Sequence, residues 1–125
     1  MPAKDIYHDT VITVLKKEGW VITDDPLKLK WGLRELFVDL GASKLLAAQK
    51  GEQKIAVEIK SFVKISPVRD LEEALGQYIL YRNILEETEP SRQIYLGIRN
   101  LVIQKKSLRL LVFDSEKEVI VQWIN

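Results

Sequence analysis

The segment from Phe37 to Lys60 constrains this chain most, because it places charged residues inside two apolar runs typical of neighbouring strands. Asp39 ends the first run, and the second run contains Glu58-Ile59-Lys60. Side chains alternate along a strand, so Glu58 and Lys60 share one face and Ile59 takes the other. Two acids and a lysine on adjacent strands can hold a divalent cation and activate a water molecule. The alternative is a solvated strand face with an exposed salt bridge of little energetic value.

Composition predicts a single globular domain spanning residues 1–125, with 46% apolar and 30% charged residues. The chain has no cysteine and one histidine, which excludes disulfides, cysteine metal sites and a histidine-rich zinc site. It has no apolar stretch of the roughly 20 residues that a membrane span needs, and its amino terminus lacks the apolar core of a signal peptide. We therefore expect a cytoplasmic protein without membrane contact.

The net charge of +1 is low for a protein that grips DNA unaided. Local basic clusters could supply the contact, although each can equally be a solvated face: Lys28, Lys30 and Arg34; and Lys105, Lys106 and Arg109. The low charge predicts work in a complex, either with a partner or as a homodimer. Trp31, Leu36 and Phe37 lie beside the first cluster and are candidates for that contact.

Apolar spacing and turn residues predict two main helices and seven strands. The helices are Asp5–Lys17 and Asp70–Glu86, and the strands are Trp20–Thr23, Leu36–Leu40, Lys44–Ala48, Lys54–Phe62, Gln93–Ile98, Leu110–Phe113 and Val119–Trp123. Gly41-Ala42 is predicted as a break, Lys50-Gly51-Glu52 as a hairpin turn and Val102–Ser107 as a short helix. The predicted class is α/β, with helices packed on one mixed central sheet.

Two helices add candidate residues to the acidic pair. On the helix after the Glu58 strand, Gln77 and Tyr81 are four residues apart and share a face. Their alternative role is packing in an amphipathic stripe on the sheet. On the first helix, His8 is a weaker candidate for positioning the substrate, with simple exposure as its alternative. Two close carboxylates, Asp39 and Glu58, are expected to raise the pKa of one member.

These motifs together resemble the signature of PD-(D/E)xK nucleases. Asp39 matches the aspartate, Glu58-Ile59-Lys60 the E-x-K, and Gln77 to Tyr81 the Q-x-x-x-Y that RecB-type members carry on the following helix. The resemblance implies a restriction-endonuclease-like fold, with a mixed central sheet flanked by helices. Asp39 and Glu58 would ligate Mg²⁺ or Mn²⁺, with the backbone carbonyl of Ile59 as a third ligand.

In the same site, Lys60 would orient the attacking water and stabilise charge on the phosphate. Gln77 would position the site, and Tyr81 would brace the helix. The catalytic residues expected from the resemblance are therefore Asp39, Glu58, Lys60 and Gln77.

Whole segments of the chain resemble the XisH family, proteins first named for the excision of a DNA element in cyanobacteria. The resembling segments are HDTVITVLKKEGWVITDDPLKLKWG, LFVDLGASKLLAAQKGEQKIAVEIKSF, EALGQYILYRNIL and LRLLVFDSEKEVIVQWI. The resemblance implies work on DNA alongside a small XisI-type partner and a site-specific recombinase. The chain departs from the family pattern between Ile98 and Leu108, where it is shorter than expected.

The function predicted is a DNA-element excision-controlling factor that acts as a metal-dependent endonuclease in site-specific excision. One alternative is a non-catalytic accessory protein of the same fold that binds a XisI-type partner and guides a recombinase. A toxin–antitoxin-like partner of a small protein is a third alternative. The intact Asp39, Glu58 and Lys60 favour the enzyme, and the neutral overall charge favours the accessory protein.

Overall fold

A computed structural model describes residues 4–46, 51–61, 67–99 and 109–124 of the chain. These residues form two helices and eight strands: α1 (His8–Lys17), β1 (Val21–Asp24), β2 (Leu27–Trp31), β3 (Arg34–Val38), β4 (Leu40–Leu45), β5 (Glu52–Ile59), α2 (Pro67–Thr88), β6 (Arg92–Arg99), β7 (Leu110–Asp114) and β8 (Val119–Ile124).

Six of the strands form one mixed sheet in the order β1-β4-β5-β6-β7-β8, and β2 pairs with β3 in a separate hairpin. The strands β5, β6 and β7 run parallel, and the other neighbours in the sheet are antiparallel. A parallel connection needs a crossover, and α2 supplies the one between β5 and β6. The predicted α/β class with a mixed sheet flanked by helices is confirmed.

Each face of the sheet has its own apolar core, and alternation along β5 divides its side chains between them. Ile55, Val57 and Ile59 pack in the core that α1 covers, together with Val11 and Leu15. On the other face, Ala56 belongs to the core that α2 and the β2–β3 hairpin cover. Glu58 follows the same alternation as Ala56, so its carboxylate enters the face beneath α2.

Two local predictions were wrong. The expected break at Gly41-Ala42 lies inside β4, where Gly41 pairs with Ala56 and Ala42 pairs with Ile55. Glycine is present there because of crowding, since a Cβ on Gly41 would come 2.9 Å from Asp24 Oδ2 and 3.0 Å from Arg92 Nη1.

The second error was the missed strand β2. Its alternation of Leu27 and Leu29 with exposed lysines is a strand signal, and both leucines are buried in the α2-side core. The hairpin turns at Gly32-Leu33, where the φ of +63° at Gly32 is the left-handed conformation that glycine adopts readily.

Some predictions fall outside the described residues. These are the short helix Val102–Ser107, the carboxyl-terminal ends of the predicted strands at Ala48 and Phe62, and Lys50 of the hairpin turn; the basic residues Lys105 and Lys106 also lie there. Within the described ranges, no helix is long and apolar enough to cross a membrane.

Two glycine-to-alanine substitutions are expected to change stability in opposite directions. Gly41→Ala should lower the free energy of unfolding by about 1–3 kcal/mol, because the new methyl group must displace the Asp24 or Arg92 side chain. Gly76→Ala, inside α2, should raise it by about 1 kcal/mol, because a Cβ there meets no described atom within 4 Å and alanine favours the helix. Urea unfolding followed by circular dichroism measures both changes, and equal effects would contradict the packing account.

Candidate active site

Asp39 and Glu58 lie side by side at the point where β3 passes into β4. The antiparallel register pairs Leu40 with Val57, so Asp39 comes opposite Glu58 on the next step of the ladder. The backbone N–H of Asp39 donates to Glu58 Oε1 at 3.1 Å, and the backbone N–H of Ile59 donates to Asp39 Oδ2 at 2.7 Å. Each carboxylate is therefore held by the backbone of the partner strand.

The pair binds a proton more tightly than ordinary carboxyl groups do. Burial raises the pKa of Glu58 from 4.5 to about 9, and the neighbouring Asp39 charge adds to the effect. Burial also raises the pKa of Asp39, although the hydrogen bond from the Ile59 N–H opposes this. The raised pKa expected from sequence is present, but desolvation is its first cause and repulsion between the carboxylates its second. Glu58 therefore holds its proton more tightly than an ordinary glutamate does.

The oxygen atoms of this site suit a hard divalent cation. One oxygen of each carboxylate accepts a hydrogen bond from a backbone N–H, and the two carboxyl groups also bond each other through their side chains. The N–H of Ile59 points to Asp39. Because the N–H and the carbonyl of one residue lie on the same edge of a strand, the Ile59 carbonyl is on the Asp39 side as well. Among the described residues, no three histidine, aspartate or glutamate side chains are grouped to hold a metal. The two carboxylates and the carbonyl fit Mg²⁺ or Mn²⁺ completed by water.

Lys60 lies next to this pair but bonds elsewhere. Its charge acts on Glu58 and opposes the rise in pKa. The Lys60 ammonium donates to Glu73 Oε1 at 3.3 Å, and its side chain is only 18% exposed. Glu73, on α2, was not a sequence candidate. The bond ties the lysine to the helix above the acids and sets how far its ammonium can reach.

The helix α2 presents one stripe of side chains to the acids. Glu73, Gln77 and Tyr81 follow at four-residue intervals, so they share a face. Glu73 contacts Lys60 at one end of the stripe. At the other end, burial and then the charges of Glu58 and Asp39 raise the pKa of Tyr81 to about 12.

Gln77 lies between those two anchors on the stripe. Its Oε1 is buried and has no hydrogen-bond partner among the described residues. A buried, unsatisfied amide oxygen costs stability, so its presence beside the acids favours a role in binding. Gln77 lies on α2, the helix on which the sequence motif predicts it, and both its contact with the acids and its catalytic part stay predictions.

Replacing Gln77 by methionine tests whether the amide is kept for function. Gln77→Met has a similar shape without the orphaned acceptor, so the free energy of unfolding should rise by about 1 kcal/mol. If the amide is kept for binding, metal-dependent DNA cleavage should fall in the same variant, because methionine cannot accept the hydrogen bond that the amide oxygen accepts. Thermal unfolding and a cleavage assay measure the two effects. Loss of stability together with unchanged cleavage would show that Gln77 is a packing residue.

The amino-terminal segment closes the same end of the sheet. His8 is 4% exposed and its Nε2 lies 2.7 Å from Asp25 Oδ1, while its Nδ1 is buried without a partner among the described residues. Both His8 and Asp5 act electrostatically on Asp39. The side chain of Asp5 accepts the Ser61 N–H at 3.0 Å, just beyond β5. His8 is thus buried rather than solvated, and its part in positioning a substrate is untested.

Sequence reasoning missed the partners of two candidates, Asp25 for His8 and Glu73 for Lys60. Asp25 belongs to a predicted turn, and Asp-Pro is common in turns for local reasons. The four-residue spacing of Glu73 and Gln77 predicts that they share a helix face, but it does not predict the bond from Lys60 to Glu73. Nothing in the sequence connected Asp25 to a histidine 17 positions away.

Comparison with known proteins gives a consistent family. The family model described as XisH protein matches residues 1–121. A crystal structure of a fdxN element excision controlling factor protein from Anabaena variabilis is 40% identical, with a TM-score of 0.81 over 98% of this chain and 100% of that one. An XisH family protein from Nostoc punctiforme is 34% identical, with a TM-score of 0.82 over 97% of this chain and 100% of that one. No curated protein matches the chain. Sequence and fold agree along almost the whole length, and the chain belongs to the XisH family.

Proposed function

We propose that this chain is a metal-dependent endonuclease of the restriction-endonuclease-like PD-(D/E)xK fold, acting in the excision of a DNA element. The observation that carries the proposal is the Asp39–Glu58 pair, in which Glu58 is buried, Asp39 is half-buried, and each is bonded to the backbone of the adjacent strand. Such a pair is costly to bury without a cation, and the raised pKa values of both groups express that cost. The crystal structure from Anabaena variabilis is of an excision controlling factor, which supports the biological role.

Each residue of the site has a distinct task in this proposal. Asp39 and Glu58 would hold Mg²⁺ or Mn²⁺ through their carboxylate oxygens, together with the Ile59 carbonyl. On substrate binding, Lys60 leaves Glu73 and contacts the substrate. Its ammonium then orients the attacking water and stabilises charge on the scissile phosphate. When bound, the metal supplies Lewis-acid polarisation of the phosphoryl oxygen and lowers the pKa of water.

Residues around the metal ligands shape the rest of the site. The Gln77 amide has an unsatisfied oxygen with which to accept a hydrogen bond from a bound water. Tyr81 braces α2 over the acids with a hydroxyl whose high pKa keeps it neutral. His8, held by Asp25, fixes the amino-terminal segment against the same end of the sheet.

The test is cleavage of a labelled duplex by the purified chain in Mg²⁺, in Mn²⁺ and in EDTA, each with and without a XisI-type partner. Nicking that needs the divalent cation and disappears in a Glu58 variant is the expected result. Absence of cleavage with both metals, with the partner and with the recombinase present would overturn the endonuclease and favour the accessory protein.

An accessory role has one observation of its own in its favour. The β2–β3 hairpin ends in Trp31, which is 55% exposed, and in fully exposed Leu33. Exposed apolar side chains at a protruding turn are typical of protein contacts. Under this alternative the hairpin contacts a XisI-type partner, a site-specific recombinase or a second copy of the chain, and the complex contacts DNA. The hairpin tip contains neither Asp39 nor Glu58, so association can be tested separately from cleavage.

A hairpin variant is expected to separate association from catalysis. Trp31→Ser combined with Leu33→Ser should weaken complex formation about tenfold or more while leaving the fold intact, because both side chains are already exposed. Light scattering measures self-association, and titration calorimetry measures binding of a XisI-type protein. Exposed Val21→Ser, on the sheet edge, is the matched control. Unchanged association in the double variant would remove the hairpin from the interface.

A further inference from the structure

A small pocket opens at the amino-terminal ends of β6 and β7, away from the acid pair. Its volume is about 160 Å³, and its wall contains the three arginines Arg82, Arg92 and Arg109, with Gln93 and Glu86. The arginines come from α2, β6 and the residue before β7, so the pocket joins three elements. Tyr81, whose hydroxyl interacts with the charges of the acids, lies on one flank of α2, and Arg82 leaves the helix about 100° further round.

The charges of these arginines are unequally satisfied. Arg92 is 8% exposed and already bonded, with Nε 2.9 Å from Glu89 Oε1 and Nη1 donating to the Ile55 carbonyl at 2.8 Å. In the described ranges, no carboxylate lies within 4.0 Å of the guanidinium groups of Arg82 or Arg109. Glu86 is one helical turn after Arg82, yet the two form no ion pair. Among the described residues, Arg82 and Arg109 therefore face one pocket without an ion pair, although the Glu86 carboxylate lies in the same wall.

Both of these arginines contact the same buried side chain, that of Tyr78. The guanidinium carbon of Arg82 lies 5.7 Å from the centre of the Tyr78 ring, a cation–π contact. The Tyr78 hydroxyl accepts the backbone N–H of Arg109 at 3.1 Å, and Tyr78 is fully buried. Tyr78 thus holds the Arg82 guanidinium and the Arg109 backbone beside one pocket, which lowers part of the entropic cost of binding a ligand there.

We propose that this pocket binds a phosphate group through Arg82 and Arg109. The planar guanidinium fork matches phosphate oxygens and makes charge-assisted hydrogen bonds to them. The group can come from a small phosphate-bearing molecule or from the backbone of DNA, because both present the same oxygens. The site contains neither Asp39 nor Glu58, so it does not depend on whether the chain cuts DNA.

The experiment follows the arginine Nε–H signals of the full chain by NMR during titration with inorganic phosphate, against sodium chloride of matched ionic strength. Phosphate is expected to shift the Arg82 and Arg109 signals to saturation. Arg82→Gln or Arg109→Gln should weaken binding about tenfold. Glu86→Gln should tighten it, which a misfolded variant would not do. Arg69→Gln, exposed near the start of α2, should leave it unchanged.

A second arm distinguishes the source of the phosphate. A short duplex with hydroxyl ends, carrying only backbone phosphates, is added to the phosphate-loaded protein. Displacement of phosphate from the pocket identifies a DNA contact, and undisturbed phosphate binding identifies a small phosphate-bearing ligand. Equal responses to chloride and phosphate, or equal binding by the Arg109→Gln variant and the wild type, would overturn the proposal.

Discussion

Replacing Glu58 with alanine is expected to lower Mg²⁺-dependent nicking of duplex DNA by about a thousandfold or more, equivalent to about 4 kcal/mol of transition-state stabilisation. Glu58 and Asp39 offer the two carboxylates of the site, and removing one leaves a single acid with a backbone carbonyl. Mg²⁺ has a strong preference for negatively charged oxygen ligands, so the weakened site should hold it poorly. Single-turnover cleavage of a labelled duplex, at a Mg²⁺ concentration that saturates the wild type, measures the loss.

The matched control is Glu52→Ala, which removes a glutamate from the opposite end of the same strand. The Glu52 side chain is 44% exposed, and its contact with Lys54 at 3.8 Å is a surface pair of little energetic value. This variant should cleave at the wild-type rate. Raising the Mg²⁺ concentration should partly rescue Asp39→Asn, which keeps an oxygen ligand, but not Glu58→Ala. If Glu58→Ala and Glu52→Ala cleave equally well, Glu58 is not a ligand of the reacting metal.

The part of the site that lies within one strand could be predicted from sequence, because alternation alone fixes it. Glu58 and Lys60 fall on one face wherever Ile59 is buried on the other, and Ile59 is 3% exposed. The stripe of Gln77 and Tyr81 follows from helical spacing in the same way. These relations depend only on the type of secondary structure, which the apolar pattern indicates well.

The alignment of residues on neighbouring strands was harder to predict from the sequence. The sequence predicts Asp39 and Glu58 on adjacent strands, but their direct opposition depends on the register of β4 on β5, which runs through the predicted break at Gly41-Ala42. A glycine inside an apolar run indicates a break only if its neighbours leave space, and at Gly41 they do not. Register is set by the whole buried face of the sheet, which a local pattern does not contain.

Contacts that close the site were not predictable at all. The Asp25 side chain reaches His8, and Glu73 reaches Lys60, through the packing of separate elements. A charged residue in a turn or on a helix face has many solvated alternatives, so its sequence position carries no information about such a partner. The same reasoning applies to Arg82 and Arg109, each of which contacts Tyr78.

The metal-free protein is expected to lose stability as the pH rises. Its unfolded chain releases the Glu58 proton above the ordinary pKa of 4.5, whereas the folded protein keeps that proton up to a pKa of about 9. Between these values the folded state holds one more proton than the unfolded state. The free energy of unfolding should therefore fall by about 1.4 kcal/mol for each pH unit gained. Burial of Asp39, whose pKa is also raised, acts in the same direction.

Glu58→Gln should remove most of this slope, because glutamine keeps the shape of the protonated acid and does not titrate. The variant should be more stable than the wild type at pH 8 in EDTA, although it binds metal less well. Saturating Mg²⁺ should flatten the wild-type slope too, since a cation replaces the proton between the carboxylates and binds only the folded state. Urea unfolding from pH 5 to pH 9 measures all three curves, with Glu52→Gln as the control that keeps the wild-type slope. Parallel curves for the wild type and Glu58→Gln would mean that Glu58 ionises in the folded protein as readily as in the unfolded chain. The raised pKa of Glu58, and with it the argument that a cation replaces its proton, would then be wrong.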